Sequence, residues 1–159
     1  AAARGTTTTA PRRGAAPATA PRAPRTPPPA APAPSLPVAP VSGGAGAAIA
    51  AARSVLGVPY RWAGASPATG FDCSGLAMWA WAHAGKRLPH SSAAQYAATQ
   101  RISLDQLQPG DLVFFNNPIS HVGLYIGGGM MIHAPHTGDV VKIAPITRMG
   151  KVVRAGRVA

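Results

Sequence analysis

The chain reads as an α+β domain behind a basic, proline-rich tail, and three features of the sequence predict this. Helix-like apolar stretches occupy the first half of the folded part. Short period-two apolar runs occupy the second half. Helices first and a meander of strands afterwards favour an antiparallel sheet with helices on one side.

Residues 1–42 come first. Prolines crowd the first forty positions, and Arg4, Arg12, Arg13, Arg22 and Arg25 are the only charged side chains there. A segment so poor in large apolar groups cannot offset its own ordering entropy, so a disordered, semi-stiff linker is expected. Residues 43–159 are long enough to bury one core. No run approaches the ~18 uninterrupted apolar residues of a membrane helix. No charged-then-apolar signal opens the chain, and this does not assign a compartment.

The first expected helix covers Gly46 to Leu56, Ala-rich and closed by Gly57. Val58 to Trp62 should be extended around Pro59, and Gly64 to Gly70 a loop. Asp72 is a good N-cap type for a second helix, Cys73 to Ala84, which is apolar on nearly every side and therefore central. Ser91 or Ser92 can cap a short third helix through Tyr96. Strands are expected at Asp111–Phe115, His121–Ile126, Met130–His133 and Val140–Ile143, with a last one near Val152–Val158. Gly127 to Gly129 should form a hairpin turn. Trp62, Trp79 and Trp81 are expected in the core, not on a sugar-stacking surface.

Charge and cysteine usage narrow the function. Fifteen Lys and Arg against four Asp and no Glu give a formal charge of +11. Such a field favours anionic partners, whether nucleic acid, acidic membranes or anionic cell-wall polymers bound through the tail, and does not choose among them. No nucleic-acid recognition motif or interleaved aromatic stripe accompanies it, so no specific nucleic acid is expected. The only Cys is Cys73, so no intrachain disulfide can form. Its place in the first turn of a helix exposes it to unpaired N–H groups and the positive end of the dipole. Both favour thiolate, the nucleophilic form.

Of five histidines, His121 opens one expected strand and His133 closes the next. Antiparallel neighbours place such residues side by side, as a base and the group that orients it. His83 and His90 read as surface or packing residues. His133-x-x-His136 with Cys73 could be drawn as a zinc site, but Pro135 interrupts the pair and no helix holds the spacing. No metal or other cofactor is expected.

Five strings then carry a resemblance. They are Gly57-Val-Pro-Tyr-Arg-Trp-Ala-Gly64, Phe71-Asp-Cys-Ser-Gly-Leu76, Gln108-Pro-Gly-Asp-Leu-Val-Phe-Phe115, Ser120-His-Val-Gly-Leu-Tyr-Ile-Gly127 and Ile132-His-Ala-Pro135. In this order and spacing the chain resembles the NlpC-type cell-wall endopeptidases, papain-like cysteine peptidases of bacteria. The resemblance implies Cys73 as nucleophile, His121 as base, His133 as third member of the triad, and Tyr60 lining the site. Asp72 and Ser74 flank the nucleophile and are candidate substrate-binding residues, although helix capping explains Asp72 equally well. The implied activity is hydrolysis of the bond between D-isoglutamate and a diamino acid in peptidoglycan stem peptides, outside the cytoplasmic membrane, by a monomer. A peptidoglycan-binding module of the same fold without activity is the alternative.

Overall fold

A computed structural model describes residues 44–159, apart from the side chain of Val153. The expected linker, residues 1–42, lies outside the described residues.

All three helices precede the strands of the main sheet, in the order the sequence suggests. Helix α1 spans Ala45–Ser54 and buries Ala48, Ile49 and Ala52. It ends in a turn at Val55, earlier than expected, and Gly57 adopts a left-handed φ of 87° beyond it. Helix α2 spans Cys73–Ala82 and buries residues on most of its circumference, including Leu76, Ala77, Ala80 and Trp81. Its start is fixed by Asp72, whose carboxylate accepts from the Gly75 amide at 2.6 Å. Helix α3 spans Ser92–Ala98, and Ser91 caps it by accepting from the Ala94 amide at 3.4 Å.

The expected loop from Gly64 to Gly70 contains a small hairpin instead. Strands β1 (Ala65–Ser66) and β2 (Gly70–Phe71) pair antiparallel. The remaining strands are β3 (Gln100–Ile102), β4 (Leu112–Phe115), β5 (His121–Gly127), β6 (Met130–His133), β7 (Lys142–Pro145) and β8 (Val152–Arg157). They form one antiparallel sheet in the order β3-β8-β4-β5-β6-β7. The last strand thus returns inside the sheet, between the edge strand β3 and β4. Strand β7 is displaced two residues toward the C-terminus from its expected place, because Val140 and Val141 are used elsewhere. Val140 bridges Pro59, and the Val141 amide donates to the Val58 carbonyl at 2.8 Å.

Alternation along the strands sorts the core into two faces. Leu112, Phe114, Val122, Leu124 and Ile132 pack toward α1 and α2. Val113, Phe115, Met131 and Val152 form a second cluster. Each fully buried side chain of this size contributes roughly 1.5–3 kcal/mol of apolar burial. Helix α2 lies against β5, and the Val122 amide near the start of β5 reaches Cys73 at the N-terminus of α2. The class is therefore α+β, with the helices packed on a mostly antiparallel sheet.

Candidate active site

Cys73 is the first residue of α2 and is half-buried. The amides of Val122, Ser74 and Cys73 itself reach its sulfur. Val122 immediately follows His121, so the sulfur lies beside the opening of β5. The two histidines meet as antiparallel pairing predicts. His121 Nε2 and His133 Nδ1 are 3.0 Å apart and share one proton, and the rings meet nearly edge-on at 80°. Both side chains are buried. Phe115, paired with His121 across the β4–β5 ladder, covers the base from one side with ring centroids 5.5 Å apart.

Burial governs the electrostatics, and it reverses one expectation. Desolvation pushes the Cys73 thiol above its ordinary range, and the Asp72 carboxylate adds to the effect. The three amides oppose this without overcoming it. Desolvation also pulls His121 down to about 4, helped by repulsion from His133. His133 falls to about 4 as well, through desolvation and then Lys142. The helix terminus alone does not set the thiol. Burial thus favours the uncharged form of both the thiol and the imidazole.

The other expected residues gather at the same place. Tyr60 is raised above its usual range first by desolvation, then by Cys73 and Asp72, so it faces both. Its amide donates to the Asp139 carbonyl at 2.8 Å, which ties it to the β6–β7 loop. Asp72 acts as the helix cap, and the same oxygen, Oδ1, also accepts from Ser74 Oγ at 3.3 Å. Ser74 is buried, and its hydroxyl turns to Asp72. His83 packs on Trp79 at the surface, as expected. His136 is exposed and its Nδ1 lies 3.0 Å from the Thr137 carbonyl. Among the described residues no group of three His, Cys, Asp or Glu is arranged to hold a metal ion.

Three residues escaped sequence reasoning. His90 Nε2 lies 2.9 Å from Asp72 Oδ1, so a residue read as surface braces the cap of the nucleophile helix. Gln95 is fully buried and donates through Nε2 to the carbonyls of Ser74 at 2.8 Å and Pro89 at 2.9 Å. It clamps the first turn of α2 to the segment carrying His90. Neither role has a local sequence signal, because both partners lie at least six residues away. Trp62, expected in the core, is 82% exposed two residues after Tyr60. Trp81 is buried as expected, while Trp79 is half-buried against Phe71.

Close backbone approach shapes the rest of the site. A Cβ on Gly75 would collide with the Gly64 carbonyl oxygen, and one on Gly64 would collide with the Gly70 carbonyl. The Asp72 amide donates to that same Gly64 carbonyl at 3.0 Å. The loop before the nucleophile therefore stacks backbone on backbone against α2.

The sequence profile of the NlpC/P60 family matches residues 57–154. The chain belongs to the NlpC/P60 family. It is 46% identical over 109 residues to a probable endopeptidase of Mycobacterium tuberculosis, which covers 69% of this chain and 28% of the relative. It is 53% identical over 92 residues to the probable endopeptidase p60 of Listeria monocytogenes, which covers 57% of this chain and 19% of the relative. The chain thus spans under a third of these NlpC/P60 proteins. The fold matches the peptidoglycan hydrolase RipB of Mycobacterium tuberculosis with a TM-score of 0.66 at 33% identity, over 72% of this chain and 64% of that one. The P60 domain of an antigen of M. avium subspecies paratuberculosis matches with a TM-score of 0.66 at 34% identity, over 72% and 94% of the two chains. The papain-like α+β architecture expected of an NlpC/P60 domain is the one observed.

Proposed function

We propose that this NlpC/P60 domain is a cysteine peptidase that hydrolyses the D-isoglutamyl–diamino acid bond of peptidoglycan stem peptides. One observation carries the reading. The Cys73 sulfur meets the amide of Val122, the residue directly after a buried His121 whose Nε2 is already engaged by His133. With Nε2 donating to His133 Nδ1, His121 keeps a lone pair on Nδ1 for the thiol.

His121 Nδ1 takes the thiol proton as sulfur attacks the carbonyl carbon. The developing oxyanion needs fixed donors, and the Cys73 amide and the Tyr60 hydroxyl are the nominees. The imidazolium then protonates the departing amine of the diamino acid, leaving a thioester on Cys73. Water, deprotonated by His121, attacks the thioester carbon; the C–S bond breaks, the sulfur takes a proton back from His121, and the stem fragment ending in D-isoglutamate leaves as the free acid. Asp72, with Ser74 behind it, is suited to bind a substrate ammonium through Oδ2.

The relatives' names supply the substrate class: one solved neighbour is a peptidoglycan hydrolase and the curated relatives are probable endopeptidases. That substrate places the protein outside the cytoplasmic membrane. Among the described residues no helix is long and apolar enough to cross a membrane. Residues 1–42 serve as a basic spacer able to adhere to anionic wall polymers. Purified stem tetrapeptides incubated with the protein and with Cys73→Ala, and products identified by mass, test the reading. Cleavage after D-isoglutamate, abolished by the substitution, supports it. An intact tetrapeptide overturns it in favour of a binding module.

A further inference from the structure

A cavity of about 430 Å³ opens at the end of the sheet that carries the two histidines. Its walls include Asn116, Asn117 and Ile119 from the β4–β5 turn, Lys151 and Arg154 around the start of β8, and Leu104. Phe115 pairs with His121 on one side and with Val152 on the other. These residues form one row across three adjacent strands. At the usual strand spacing, Val152 is about 10 Å from His121. An extended peptide covers that distance in about three residues.

The chemistry of the walls selects an occupant. Two cations and two side-chain amides line the cavity, and among the described residues no Asp or Glu does. The Arg154 guanidinium lies 5.9 Å from the Tyr96 ring, and Arg101 lies over the same ring at 5.2 Å, so the positive charge extends beyond the cavity. Leu104 is 43% exposed and supplies an apolar floor. Asn116 holds a left-handed φ of 70° and donates from Nδ2 to Ser120 Oγ at 2.6 Å, which shapes the turn directly before His121. On the nucleophile itself the neighbouring charge has the opposite sign, because Asp72 is the carboxylate that acts on Cys73.

We infer that this cavity is the subsite for a carboxylate on the leaving-group arm of the substrate, the diamino acid and the residues beyond it. The inference rests on the peptidase reading above. Lys151 supplies the charge, Asn116 and Asn117 supply N–H donors, and Leu104 and Ile119 take the aliphatic part of the arm. A stem is then held in one direction, with its N-terminal ammonium at Asp72 and the carboxylate of its leaving arm at Lys151.

The test compares a stem tetrapeptide with the same peptide whose leaving-arm carboxylates are amidated. The readout is the ratio of kcat/KM for the free over the amidated peptide. The wild-type protein should prefer the free acid. Lys151→Glu should lower the ratio about tenfold, since it turns a modest attraction into a repulsion. Lys151→Arg should keep it. Arg53→Glu, the same charge change at an exposed site on α1, should leave it unchanged. Equal rates on both peptides in the wild type overturn the subsite while leaving the peptidase reading intact. Equal losses in Lys151→Glu and Arg53→Glu overturn it in favour of a general field. Cleavage of neither peptide overturns the peptidase reading and the subsite with it.

Discussion

His121 Nε2 and His133 Nδ1 sit 3.0 Å apart in a buried pocket, a contact between two groups of the same kind. A carboxylate in the position of His133 would pull the base toward imidazolium. A neutral imidazole fixes the ring angle and the tautomer instead.

Replacing His133 by Ala should therefore lower kcat by about 10²- to 10⁴-fold, as for loss of the orienting member of a triad, with little change in KM. Steady-state kinetics on a stem tetrapeptide checks this. A proportional rise in KM at constant kcat would instead make His133 a substrate ligand.

Acid should unfold the domain through the same pair. Both imidazoles are pulled from 6.5 to about 4 in the folded state. Between those values the unfolded chain binds more protons than the folded one, so stability rises with pH. The contribution is complete above 6.5 and is lost as pH falls through about 4. For each imidazole, a tenfold change in proton affinity is worth about 1.4 kcal/mol. Urea unfolding at pH 7 and pH 4.5 should show a marked loss at the lower pH, and His133→Asn should flatten the dependence.

The Cys73 thiol should alkylate slowly at neutral pH. Its burial pushes it upward and the neighbouring imidazole is neutral. The iodoacetamide rate should climb with pH through a midpoint above that of an ordinary free thiol. A fast rate, flat from pH 5 to 8, would reveal a standing thiolate–imidazolium pair and refute the neutral resting state.

His90→Ala should raise KM several-fold and cost about 1 kcal/mol of stability, the usual worth of one hydrogen bond. It removes one of the donors that fix Asp72 Oδ1. His90→Gln, which can still donate, should recover most of both. Unchanged KM in the Ala variant would confine His90 to the surface role suggested by sequence alone.

The legible parts of this molecule were those with local periodicity or a local partner. The Asp72 cap is a contact over three residues, and the strands from Leu112 to His133 alternate or run apolar. The pairing of His121 with His133 followed from two strands joined by a glycine turn. Strand β3 was not legible. Its Gln100 and Arg101 are exposed, and its pairing partner lies more than fifty residues away in β8. The hairpin of β1 and β2 is too short to have a period. The thiol's direction also escaped, because capping amides are visible in a sequence and the depth of burial around them is not. Trp62 was misplaced for a related reason: an aromatic in an apolar neighbourhood looks like core until the turn carrying it is seen to face outward.

The backbone contacts among Gly64, Gly70 and Gly75 divide this surface into frozen and variable ground. Gly75→Ala would force the Gly64 carbonyl off the nucleophile helix, and thermal melts should show it among the most damaging single-methyl additions in the domain. No side chain can be added where the chain already touches itself, so mutation has almost nothing to work with behind Cys73. Any change in what the site accepts would have to come from side chains free to vary beside it, such as the exposed Asn116, Asn117 and His136.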